Sequence, residues 1–163
     1  RVGNFHGGLS IAPYGVFPTK DGYTAIICNN DTHWHRLLDV MGKTKSKDDK
    51  RFKTMADRVQ NLDPLTELIT SWSVTLTRVE IMDLLNKARV PCGTVNNLSE
   101  VVEDENLHAR GMIRWIEDAD GNRSLAAASP LHIDGINRVE YQPSPEFDAD
   151  RDSILEELRK LKN

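Results

Sequence analysis

Residues 13–34, PYGVFPTKDGYTAIICNNDTHW, constrain the fold more than any other stretch of the chain. Tyr14, Val16 and Phe17 open a β-prone run, Lys20-Asp21-Gly22 supplies a turn, and residues 23–28 (YTAIIC) are the most continuously apolar segment. Asp-Gly between two β-prone runs signals a tight hairpin, because glycine takes up the positive φ that such a turn needs. Asn29, Asn30 and Asp31 then end the second strand and offer a cap for a helix that contains Trp34. A hairpin of this kind presents an apolar face, and that face needs a cover.

Three helical patterns supply it. Trp34, Leu37, Leu38 and Met41 fall at i, i+3, i+4 and i+7, and Gly42 can end that helix. Residues 43–53 (KTKSKDDKRFK) read as a charged, exposed connection. A second helix is expected from Pro64, with Asp63 as its cap and Leu65, Leu68, Ile69 and Trp72 on its apolar face. The third begins at Thr77, where Thr-x-x-Glu matches a capping box, and buries Ile81, Leu84, Leu85 and Ala88. Pro91 and Gly93 stop it.

Further along, residues 98–105 predict a short acidic helix and 106–111 a turn. A weaker hairpin follows, with strands over 112–116 and 123–127 around the turn at 118–122, then one more short strand over 130–133. Residues 134–150, with Pro143 and Pro145, read as a linker. A last amphipathic helix over 153–161 carries Ile154, Leu155, Leu158 and Leu161. The fold class is therefore α+β: a small antiparallel sheet built on hairpins, covered by amphipathic helices, with a C-terminal linker and helix. At 163 residues such a domain can bury roughly 70% of its unfolded surface.

Composition excludes several functions. A net charge of −4 argues against nucleic-acid or anionic-membrane partners, which favour basic faces. No apolar run reaches the ~20 residues of a membrane span, and the first residues lack a signal-peptide core. Cys28 and Cys92 show no metal spacing and suit a reducing, cytoplasmic setting. No Walker A loop, GxGxxG, HExxH or GxSxG is present. His33 and His35, two apart, lie on different sides of a helix, so no shared metal is expected. Cys92 reads as a packing thiol, and His108 and His132 as surface or hydrogen-bonded residues. Glu100, Glu103, Asp104 and Glu105 lack the glycine turn of a calcium loop. His6-Gly7-Gly8 alone stands out, because glycines there let the backbone approach a ligand closely.

Four stretches, in order, carry a resemblance. They are RVGNFHGGLSIAPYGVFPTKDGY (1–23), KRFKTMADRVQN (50–61), ARVPCGTVNNLSEVVED (88–104) and ARGMI (109–113). Together they resemble the C-terminal part of a family III CoA-transferase of the CaiB/BaiF class, whose Gly-rich loop precedes a Pro-Tyr-x-x-Phe-x-Thr-x-Asp-Gly-Tyr hairpin. The sequence departs from that pattern at Thr94 and Glu105, where proline is usual, and at residues 146–153, which lack the Gly-x-His-Thr before the last helix.

The resemblance implies an enzyme that moves CoA between an acyl-CoA and a carboxylic acid through an aspartate nucleophile in a large CoA-binding domain. That aspartate is expected upstream of this chain, which opens on Arg1 and reads as a piece of a longer protein, so no catalytic residue and no metal ligand is assigned here. What is assigned by resemblance is the active-site loop: His6, Gly7 and Gly8, within a loop segment over 1–12. A small α+β domain over 13–133 and a linker and helix over 134–163 complete the division. No cofactor is expected, CoA thioester being the substrate. The implied partners are the acyl-CoA and carboxylate substrates, met through the large domain, and a second copy in a homodimer. The racemase branch of the same superfamily, or a non-catalytic binding or oligomerisation module, are the alternatives.

Overall fold

A computed structural model describes residues 3–8, 10–118, 120–131, 133–135 and 143–161. By compactness the chain divides into two units, Arg1–Asn96 and Asn97–Asn163. The sequence reading had carried one domain on through residue 133.

The first unit is built on the expected hairpin, strands β1 (Tyr14–Thr19) and β2 (Gly22–Ile27). Thr19 pairs with Gly22, so Lys20 and Asp21 form the two-residue loop. Side chains alternate as a half-buried sheet requires: Phe17, Thr24, Ile26 and Cys28 are buried, while Tyr14 and Tyr23 point to solvent. The register Phe17–Thr24 and Gly15–Ile26 puts the buried set on one face. A third strand, β3 (Cys92–Thr94), pairs antiparallel with β2 and makes β2 the central strand. The sequence reading had no strand there.

Four helices lie in this unit. α1 (Asp31–Val40) starts as expected, with the Asn30 side chain accepting from the His33 amide, and Gly42 follows it at φ +67°. A 3-10 turn over Thr44–Asp48 comes next. α2 (Met55–Gln60) is an addition to the sequence reading, opened by a reciprocal Thr54–Asp57 capping box. α3 (Leu62–Ser73) begins before Pro64, so Asp63 sits inside the first turn rather than at the cap. α4 (Arg78–Lys87) has the predicted Thr77–Glu80 box. It ends on Arg89 in the left-handed conformation at φ +56°, ahead of the Pro91 and Gly93 expected to stop it.

The core holds Phe17, Ile26 and Cys28 from the hairpin, Trp34, Leu37, Leu38 and Met41 around α1, Leu65 and Ile69 from α3, and Ile81 and Leu85 from α4. Leu84, placed on the same face by its spacing, is exposed instead. Phe52 is 2% exposed and meets the Trp34 ring edge-on at 6.0 Å, so the charged 43–53 segment still contributes one core residue. Truncating a buried leucine of this set to alanine costs roughly 2–5 kcal/mol.

The second unit contains α5 (Leu98–Val102), α6 (Glu105–Ala109), the hairpin β4 (Ile113–Glu117) and β5 (Arg123–Ala127), and α7 (Arg151–Leu161). Residues 106–109, expected as turn, belong to α6, because Asp104 caps it by accepting from the Leu107 amide. The described residues of 130–133 form no strand. Among the described residues no helix is long and apolar enough to cross a membrane.

Candidate functional site

The predicted loop residues are brought together on the outer edge of β1. The Val16 amide donates to the Asn4 carbonyl at 3.0 Å, and the His6 amide donates to the Tyr14 carbonyl at 3.1 Å. Phe5 thus bridges Gly15 antiparallel and extends the sheet by one residue pair. Glycine at position 15 gives the pairing its room: a Cβ there would stand 3.0 Å from both the Asn4 carbonyl oxygen and Phe5 Cδ1, and the 4–6 segment would have to shift outward.

The His6 ring stacks on Tyr14, with centroids 4.6 Å apart and planes 9° from parallel. The Gly8 amide donates to His6 Nδ1 at 3.2 Å. In that bond Nδ1 is the acceptor, which leaves the Nε2 edge of the ring turned away from the Gly8 amide. A Cβ on Gly8 would stand 2.7 Å from His6 Cε1, so a side chain there would turn the imidazole aside. Gly7 is exposed in the turn between them. His6, Gly7 and Gly8 therefore form one compact tip, stapled at its N-terminal side to the hairpin.

The C-terminal side of the loop is held by a residue of the 50–61 stretch to which the sequence reading gave no role of its own. Arg58 of α2 is fully buried. Its Nε donates to the Ala12 carbonyl at 2.8 Å, Nη1 to the Phe52 carbonyl at 3.1 Å, and Nη2 to Asp31 Oδ1 at 2.7 Å. The guanidinium also lies over the Trp34 ring, 5.5 Å from its centroid. The available signal was the Thr54-x-x-Asp57 box, which places a helix at 55 and Arg58 in its interior.

Both thiols are shifted away from the reactive thiolate. Burial pushes the Cys28 thiol up to about 12, against a smaller opposing pull from Arg58. Burial raises Cys92 as well, in keeping with a packing thiol. The carboxyls held below their usual range are occupied in structure. Asp21 is lowered first by the Arg78 amide, Asp57 by the Thr54 hydroxyl, and Glu80 by the Thr77 amide. The described residues contain no cluster of three metal-ligating side chains. His35 is exposed, and His108 Nε2 lies 2.7 Å from the Val102 carbonyl. His132 lies outside the described residues. The described part of the loop is thus a glycine segment held at both ends, with backbone and an imidazole at its tip.

The sequence profile of CoA-transferase family III matches residues 1–151. The chain belongs to this family. It is 27% identical over 161 residues to a succinate–glutarate CoA-transferase of Agrobacterium fabrum (strain C58), covering 99% of this chain and 40% of that protein. It is 31% identical over 111 residues to a formyl-CoA:oxalate CoA-transferase of Rhodopseudomonas palustris (strain HaA2), covering 68% of this chain and 26% of that protein. Among solved structures, a CaiB/BaiF family protein from Brucella suis superposes with a TM-score of 0.78 at 30% identity, over 97% of this chain and 40% of that one. This CoA-transferase family III chain therefore spans less than half the length of the relatives it matches, and its α+β architecture is theirs over that span.

Proposed function

We propose that this chain is the loop-bearing part of an enzyme that moves CoA between an acyl-CoA and a carboxylic acid. The observation that carries this reading is the family match over residues 1–151. The relatives named above supply the substrate class, since both names couple CoA transfer to small carboxylic acids.

On this reading an aspartate outside these 163 residues attacks the thioester carbonyl and expels CoA thiolate, leaving a mixed anhydride. CoA thiolate attacks the enzyme side of that anhydride to give an aspartyl thioester and releases the first acid. The acceptor carboxylate then attacks the aspartyl thioester and expels CoA thiolate, and that thiolate attacks the acyl carbonyl of the second anhydride, releasing the new acyl-CoA and the free aspartate. Covalent catalysis of this type divides one hard substitution into easier ones. The task of His6-Gly7-Gly8 is to cover the reacting carbonyl and admit an acid in preference to water.

The test is a CoA-exchange assay with the purified 163-residue chain, supplied with an acyl-CoA and free carboxylic acids. No exchange above the uncatalysed rate is expected. Turnover by the chain alone overturns the proposal.

A further inference from the structure

We propose that Arg58 is a positioning residue that fixes the C-terminal end of the Gly-rich loop and so sets how far the loop can move. Its covering role rests on the functional reading above; the anchoring itself does not.

A fully buried guanidinium is costly unless its donors are satisfied. Here each of three nitrogens meets an acceptor, and the three acceptors come from separate parts of the chain. Ala12 closes the loop segment, Phe52 precedes α2, and Asp31 lies in the first turn of α1. The Asp31 carboxylate is 57% exposed, so the buried cation pairs with a counter-charge that still meets solvent.

Both polar backbone groups of Ala12 are taken by α2. The carbonyl accepts from Arg58, and the amide donates to Met55 Sδ at 3.2 Å. One residue on, the Pro13 carbonyl accepts from the Cys28 amide at 2.8 Å, which is already sheet structure. At the other end the His6 amide is held by Tyr14. The stretch of loop between its two anchors is thereby set by His6 at one end and Ala12 at the other. Releasing Ala12 moves the hinge back to Pro13 and lengthens the free segment. Lysine cannot substitute, because one ammonium on a flexible stem does not reach three acceptors arranged around a planar fork.

Hydrogen exchange on the full chain tests this, comparing Arg58→Lys with the parent protein. The Ala12 amide, which donates to Met55 Sδ, is expected to exchange about tenfold faster and the His6 amide to follow it, while those of Ile81 and Leu85 in α4 change by less than about twofold. Equal acceleration of loop and α4 overturns the proposal, since Arg58 then serves only global stability. Unchanged loop exchange overturns it too. Asp31→Asn leaves both carbonyl contacts in place and is expected to give a smaller rise in the same amides. If Arg58→Lys does not fold, the absence of that rise in Asp31→Asn counts as refutation.

The covering role is read separately, in the transferase that contains this chain, as the ratio of thioester hydrolysis to CoA transfer. A rise of about fivefold or more in Arg58→Lys is expected. Loop-confined exchange with an unaltered ratio keeps the anchor and removes the covering role.

Discussion

Gly15 and Arg58 show how single residues place the loop. Gly15 lets the 4–6 segment lie against β1, since a Cβ would press on the Asn4 carbonyl and the Phe5 ring at 3.0 Å. Gly15→Ala is therefore expected to lift that segment from the strand, at a cost of about 1–3 kcal/mol. The ring-to-ring contact of His6 and Tyr14, read by nuclear Overhauser effects, should disappear with it. Retention of that contact with an unchanged melting temperature contradicts the account. The glycines at 7 and 8 were legible from sequence because flexible backbone has a compositional sign. Arg58 was not. Its burial depends on a carbonyl 46 residues away, and an arginine in a helix ordinarily signals an exposed face.

Elements with local signals were legible in the sequence: the Asp-Gly hairpin, the three helical faces and the Thr77–Glu80 box all read directly. β3 carries three residues whose strand character comes from pairing with β2, a contact between Thr24 and Thr94 that no local pattern contains. α2 and α6 are six and five residues long, too short for a 3.6-residue period to register. Their caps were the readable part.

The caps also set a pH dependence. The folded carboxyls of Asp21, Asp57 and Glu80 lie below their ordinary values, held there by hydrogen bonds to Arg78, Thr54 and Thr77 respectively. A carboxyl with a depressed folded pKa adds stability above its unfolded pKa and loses it as pH falls through the folded one. Denaturation midpoints should thus hold level near neutrality and drop below about pH 4. Thr77→Ala removes a hydroxyl that bonds both the Glu80 amide and its carboxylate. It should cost about 1 kcal/mol at pH 7 and flatten the acid slope. A variant whose slope matches the parent protein would speak against a capping origin.

At the scale of the whole molecule, the first unit is a sheet with a covering set of helices and a loop held at two ends, and the proposed function makes it a scaffold for chemistry done by other residues. The second unit adds a hairpin and α7, whose Ile154, Leu155, Leu158 and Leu161 all stand 42% or more exposed within this chain. A profile match over residues 1–151 and relatives more than twice as long frame the same conclusion. The central claim is that the covalent step uses a carboxylate that these 163 residues do not contain. Trapping tests it most directly. The transferase containing this chain is incubated with an acyl-CoA and hydroxylamine, which converts an enzyme-bound anhydride or thioester to a hydroxamate, and the labelled peptide is found by mass spectrometry. The account predicts a hydroxamate on a carboxylate outside residues 1–163 and unmodified carboxylates within them. A hydroxamate on an Asp or Glu of this chain contradicts it.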